Sequence, residues 1–222
     1  LCNKNSVVIM KSLRSDIKNN LRHESKKNSN LKLINSTIKS ISKRGINDTT
    51  MSNVSQGAGL SQGLINFHFK SKESLLIETL KFISNEYLES FQKSLKKAGS
   101  DPRKRIMSII DNDFKRNICN SNKIAVWYIF LSEIKFKPVY LQICKERDDY
   151  YSSTVTSIFE DLNKKEKNKN ISAEKLCTSL LALTMGLWLD QLVDSDNFKR
   201  MDGKNICKNF VKSNFPKQFR KY

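Results

Sequence analysis

The chain has little proline, little glycine and almost no histidine: three, seven and two residues among 222. So few helix breakers leave long stretches free to continue as helix. With only His23 and His68, little material exists for histidine-based metal binding or acid–base chemistry. Five cysteines (Cys2, Cys119, Cys144, Cys177 and Cys207) are scattered and odd in number, and none forms a Cys-x-x-Cys pair. That argues against a disulfide framework or a zinc site, and for reduced thiols in a cytoplasmic protein. No run of about 18 consecutive apolar residues exists, so no segment is expected to cross a bilayer. The opening residues lack the small-residue cleavage site of a secretory signal. The chain opens on Leu1, and Met10 is a candidate initiator. The glycines at 57–63 have neither G-x-G-x-x-G nor Walker spacing, and no nucleophile–base pair is evident. Neither an enzyme nor a cofactor is expected.

What is abundant is positive charge, at net +18. Lysine outnumbers arginine by 31 to 9, and asparagine (22) and isoleucine (20) are frequent too, a bias that AT-rich coding DNA produces by itself. The distribution says more than the total. Residues 1–76 hold 13 basic and 4 acidic side chains, and residues 77–222 hold 27 and 18, so each segment is net +9. The first third is therefore about twice as basic per residue. A basic head on a milder body suits a polyanionic partner such as DNA. A basic tail on an unrelated helical protein would give the same numbers.

Hydrophobic periodicity of the helical kind runs through the chain, and no segment alternates as a strand would, so an all-α fold of about nine helices is expected. Residues 1–28 are polar and weakly periodic and read as a flexible basic arm. Residues 29–76 read as a three-helix head, and 77–222 as a sensing and dimerisation body. The first helix is expected near 31–43, with Ile34, Ile38 and Ile41 inward and Gly45 as its C-cap. Thr49 or Thr50 caps a second short helix over 51–57. Ala58-Gly59-Leu60 makes a turn, and Ser61 caps a third helix through Phe67. Ser71 opens a long fourth helix with Leu75, Leu76, Leu80, Ile83, Tyr87 and Phe91 on one face. Asp101-Pro102 opens the next helix. An apolar helix follows over 123–134, and Pro138 starts another. Residues 163–170 read as a charged loop. Ser172 caps a leucine-rich helix, Asp202-Gly203 breaks it, and a last helix spans about 204–213.

A short helix, a glycine turn and a serine-capped short helix make a helix-turn-helix plan. In such a plan the leading residues of the second short helix enter the major groove. Ser61 starts that helix here. Gln62 and Asn66 can pair bidentately with adenine, and Gly63 permits close approach. The wider segment 33–76 resembles the head of the TetR family of transcriptional repressors. Its most telling stretch is Phe67-His68-Phe69-Lys70-Ser71-Lys72. The resemblance implies that Thr50, His68 and Lys72 touch phosphates. Phe67 and Phe69 read first as packing residues, with Phe67 also placed to touch the DNA backbone. Asn66 departs from the family, where tyrosine is common. His68 also fits as a satisfied core histidine, and the lysines as solvated charge.

Islands over about 123–216 resemble one branch of that family, the BetI-type repressors of choline-to-glycine-betaine genes. They are Trp127 and Phe130 ahead of Pro138, then Leu181-Ala182-Leu183 leading to Gly186-Leu187-Trp188-Leu189, then Asn209-Phe210-Val211 with Phe215-Pro216. The resemblance implies a choline-like inducer, a two-fold homodimer built on the last two helices, and operator DNA as partner. A quaternary ammonium is held by aromatic faces and a nearby carboxylate. Trp127, Tyr128, Phe130 and Trp188 are candidate cage residues, and Glu133 and Asp190 candidate counter-charges. A plain core also presents aromatics at helical spacing, so both readings stand. Met185 replaces an acidic residue common in the branch. A regulator answering a different metabolite, drug or lipid remains the main alternative.

Overall fold

The computed structural model describes residues 4–166 and 171–220. Among them are ten helices and no strand. They are α1 (Lys4–Arg44), α2 (Met51–Gly57), α3 (Gln62–His68), α4 (Lys72–Ala98), α5 (Pro102–Asp113), α6 (Ser121–Glu133), α7 (Pro138–Glu166), α8 (Ala173–Val193), α9 (Arg200–Asn214) and α10 (Pro216–Phe219). The chain divides into two compact units between Leu76 and Ile77.

In the first unit, Leu33, Ile34, Ile38 and Ile41 of α1 bury against Val54 of α2, Ile65 of α3 and Phe69. α1 is far longer than the expected 31–43. It begins at Lys4, so residues 4–28, read as a flexible arm, carry helix instead; Leu1 to Asn3 lie outside the described residues. The first glycine is Gly45 and the first proline Pro102, so nothing in the sequence stops a helix before position 45. There Gly45, at φ +78°, ends it, its amide donating to Ile41 O at 2.8 Å. Ser36 Oγ donates to Val54 O at 2.8 Å, and a Cβ on Gly57 would meet that Oγ at 2.6 Å. A bare α-carbon therefore lets α2 close on α1.

The second unit centres on α7 and α8, with α5, α6 and α9 packed around them. Its core holds Phe91, Ile106, Ile109, Ile110, Phe159 and Phe215, with Phe159 and Phe215 stacked at 5.9 Å. α8 is long and apolar enough, by length and composition, to cross a membrane. Here it lies among the body helices, with Leu176, Leu180, Leu187 and Trp188 buried.

Three boundaries differ from expectation. α7 continues through 163–166, part of the supposed charged loop, and residues 167–170 lie outside the described residues. Glu166 is buried because its carboxylate accepts the amides of Lys217 (3.0 Å) and Gln218 (3.1 Å) in α10, a short helix the sequence did not announce. The third concerns Gly203, expected as a breaker, which sits inside α9; the break falls earlier, after Val193. A Cβ at Gly203 would lie 2.8 Å from the Phe114 ring and 3.1 Å from Phe198. The glycine serves packing, not chain reversal.

Candidate nucleic-acid interface and sensing core

The candidate reading helix, α3, is set by local chemistry. α2 is capped by Thr50, whose Oγ1 accepts from Asn53 N at 3.1 Å. It ends in a Schellman turn: Gly59 N donates to Gln56 O and Leu60 N to Ser55 O, both at 3.0 Å, with Gly59 at φ +66°. Ser61 then caps α3, its Oγ accepting from Leu64 N at 3.2 Å. Ile65 is buried, which fixes the helix's rotation and leaves Gln62, Gly63, Asn66 and Phe67 exposed. The Gln62 carbonyl accepts from Ser55 Oγ at 3.2 Å, and its amide nitrogen donates to Asn66 Oδ1 at 3.4 Å. The two amides thus form one chain along the edge, already oriented. Nothing but Ser61 Oγ, at 3.9 Å, lies near a Cβ on Gly63, so internal packing gives no reason for glycine there.

The flanking groups are held from α1 and from the loop after it. Lys72 Nζ donates to Asn47 O at 2.8 Å. His68 Nε2 lies 2.7 Å from Ser29 Oγ, and that same hydroxyl is 3.0 Å from both Ser25 O and Lys26 O. Partial burial, and then the Lys26 charge, hold the His68 imidazole below its usual pKa. Lys26 Nζ stands 5.3 Å over the Phe67 ring. Between α1 and α3 runs an open groove of about 510 Å³, with Arg22, Lys26 and Lys32 on one side and Leu64, Phe67 and His68 on the other. Sequence reasoning missed Arg22 and Lys26 by treating their segment as an arm, and did not single out Lys32 in the first helix of the head. Their spacing of four and six, with no breaker between, was the available signal.

In the body the aromatic candidates separate. Trp127 and Trp188 come together with Tyr87, whose ring meets Trp188 edge-on at 6.4 Å. Phe130 packs instead on Tyr140, at 4.9 Å. The Tyr128 hydroxyl donates to Met185 O at 2.6 Å. Glu133 lies at the end of α6, and Asp190 is exposed on α8, bordering a surface hollow with Asp194 and Asp202. Neither borders the cavities beside Trp127 and Trp188.

Two charged residues that the sequence reading passed over occupy the centre. The Arg147 guanidinium stacks 3.7 Å from the Trp127 ring centre and lies 5.3 Å from Tyr87. Asp113, 1% exposed, accepts from the Tyr87 hydroxyl through Oδ1 at 2.8 Å, and its backbone carbonyl accepts from Trp188 Nε1 at 3.2 Å. Burial pushes the Asp113 carboxyl up to about 7, against the pull of the Tyr87 hydroxyl, Arg147 and Lys115. Both residues sit at core phases of their helices. Arg147 is seven beyond Tyr140 and four before Tyr151, and Asp113 is seven beyond Ile106. A charge at an inward position was the signal.

A capped reading helix on a Schellman turn, together with a second, wholly helical unit, defines a helix-turn-helix transcriptional regulator. Residues 33–79 match the family described as "Bacterial regulatory proteins, tetR family", and residues 102–216 match "BetI-type transcriptional repressor, C-terminal". The chain belongs to the TetR family and carries a BetI-type C-terminal domain. An HTH-type transcriptional regulator BetI from Stenotrophomonas maltophilia is 25% identical over 179 residues, spanning 81% of this chain and 89% of that protein. Its counterpart from Pectobacterium carotovorum is 26% identical over 180 residues, spanning 81% and 90%. A transcriptional regulator from Saccharomonospora viridis, solved in complex with choline, shares the fold with a TM-score of 0.71 at 18% identity, covering 84% of this chain and 96% of that one. One from Pseudomonas aeruginosa gives 0.71 at 21%, covering 83% and 88%. The family and these relatives are regulators of transcription, not enzymes.

Proposed function

We propose that this chain is a cytoplasmic homodimeric repressor that holds operator DNA through α3 and releases it when a small choline-class cation binds the body. The observation that carries the reading is the exposed edge of α3. Gln62 and Asn66 stand side by side, hydrogen-bonded to each other, with a glycine between them that packing does not require. Gln62 and Asn66 read base edges. Thr50, Ser61, His68 and Lys72 hold the phosphate backbone, with Phe67 against it.

An exposed apolar face supports pairing. Ala182, Gly186, Leu189 and Val193 follow at four-three-four spacing on α8, and Ile206 is exposed on α9. Two copies joined there would read two half-sites. Trp127, Tyr87 and Trp188 supply aromatic faces for a cation, and the BetI-type body supports choline or a close relative as inducer. Coupling runs through α4, which holds Lys72 of the first unit and Tyr87 of the second. The inducer shifts the population only by its preference for the DNA-free state.

Footprinting on DNA from upstream of the chain's own gene, with excess competitor, tests the reading. The expected result is a protected two-fold site, lost in Gln62→Ala/Asn66→Ala and released by choline. Equal retardation of all duplexes would leave only a non-specific basic protein. Protection that choline leaves untouched would keep the repressor and remove this inducer.

A further inference from the structure

Among the described residues, the aromatic faces suited to a cation already hold one. Arg147 is 7% exposed and lies against Trp127 and Tyr87 at the distances of a cation–π contact. We propose that Arg147 is a built-in occupant of the cation site, and that a small alkylammonium ligand carrying a hydroxyl binds by displacing its guanidinium. This rests on the small-molecule-regulator reading above.

Four observations carry the proposal. The first is space. The two cavities beside Arg147 hold about 30 and 10 Å³, room for water-sized groups only. A ligand of any size must therefore move a side chain. The guanidinium has as many heavy atoms as a trimethylammonium head, so one vacates what the other needs. The second is incomplete bonding. Asp113 Oδ2, Tyr151 Oη and Trp127 Nε1 are buried and have no hydrogen-bond partner among the described residues. Buried polar atoms are nearly always paired, yet these three belong to residues that border the two cavities. Asp113 Oδ2 can accept from a ligand hydroxyl, and the Tyr151 hydroxyl can bond to the same group.

The third is charge. Around the cavities stand Asp113, Asp148 and the ion-paired Glu86 and Lys123. With Arg147 swung out alongside Asp148, Asp113 is left as the carboxyl with no ion-pair partner at the cavities, so the vacancy favours another cation and disfavours an anion. The fourth is an exit. The hydrogen bonds of the Arg147 side chain run from Nε (2.8 Å) and Nη2 (2.5 Å) to Asp148 Oδ1, on the neighbouring residue. The Asp148 side chain is 39% exposed. The tether leads outward, and the guanidinium can follow it without losing its partner.

An internal competitor lowers apparent affinity by the fraction of time the site stands vacant. Removing it must tighten cation binding, whereas removing a true ligand contact must weaken it. The test titrates the full chain with choline and with tetramethylammonium, read by tryptophan fluorescence, for wild type, Arg147→Met and Arg147→Gln. Both variants are expected to bind both cations about tenfold more tightly than wild type. Choline is expected to be preferred in every form through Asp113. Asp148→Asn keeps the arginine but removes the partner that its guanidinium follows outward, and is expected to weaken binding severalfold even if the Arg147 variants fold poorly. Weaker, equal or absent binding in the Arg147 variants, or tighter binding in Asp148→Asn, overturns the proposal. Failure of the repressor reading is distinguishable. It shows as wild type that retards no DNA, while the tryptophan titration reads the body alone.

Discussion

The head and the body place their polar groups in opposite ways. In the head, Gln62 and Asn66 stand exposed on a helix whose start, turn and rotation are fixed by local caps and one buried isoleucine. In the body, Arg147 and Asp113 are sunk in the core and held by aromatics from three other helices. A surface made to meet a large partner keeps its polar groups outside, bonded only weakly to each other. The proposed ligand pocket keeps them inside, where desolvation amplifies each charge.

Substitutions in each region probe this contrast. Phe159→Ala removes a fully buried ring stacked on Phe215, and is expected to cost about 3–5 kcal/mol in denaturant unfolding. A loss under about 1 kcal/mol would mean that the body is loosely packed around this ring. Next is Asp113→Asn. A carboxyl raised from 3.8 in the unfolded chain to about 7 in the folded one stabilises only at low pH, and its contribution is lost as pH rises through 7. The variant's stability advantage over wild type is therefore expected to grow from pH 4 to pH 8, to at most about 4 kcal/mol. A difference flat across that range would place the Asp113 carboxylate in a far wetter site. Gln62→Ala is expected to weaken operator binding by about 1–3 kcal/mol at one base position, while melting stays within about 0.5 kcal/mol of wild type. Smallest is Ser61→Ala, at about 1 kcal/mol of stability through the lost α3 cap. It is also expected to weaken operator binding, and unchanged operator affinity in Ser61→Ala would remove Ser61 from the phosphate contacts.

The head was legible in its own residues, because Thr50, Gly59 and Ser61 each act on the backbone next to them. So were Asp101 and Ser172, whose side chains cap α5 and α8, whereas Asn120, which caps α6, was not singled out. The body site was legible only in part. Trp127 and Trp188 were visible as aromatics, but their neighbour Tyr87 stood in a stripe that reads as plain core. Phe130, Glu133 and Asp190 belong to the same helices yet point elsewhere: three, six and two residues from the nearer tryptophan, they are turned by about 60°, 120° and 160° around the helix. Gly203 misled for a tertiary reason: the rings that crowd it, Phe114 and Phe198, come from elsewhere in the chain. Length misled at α1, where a polar composition suggested freedom and the absence of breakers decided for helix.

One consequence lies in the serine that touches His68. Ser29 has a single hydroxyl hydrogen and three takers within 3.0 Å, the carbonyls of Ser25 and Lys26 and the imidazole Nε2. When that hydrogen points at the ring, the imidazole's own proton must sit on Nδ1, free to be offered to an anion. When it turns to a carbonyl, Nε2–H faces the serine oxygen and Nδ1 offers only a lone pair, which a phosphate repels. Rotation about one C–O bond in α1 thus selects the tautomer of a histidine thirty-nine positions along the chain. An arriving phosphate would draw that hydrogen away from the helix and onto the ring.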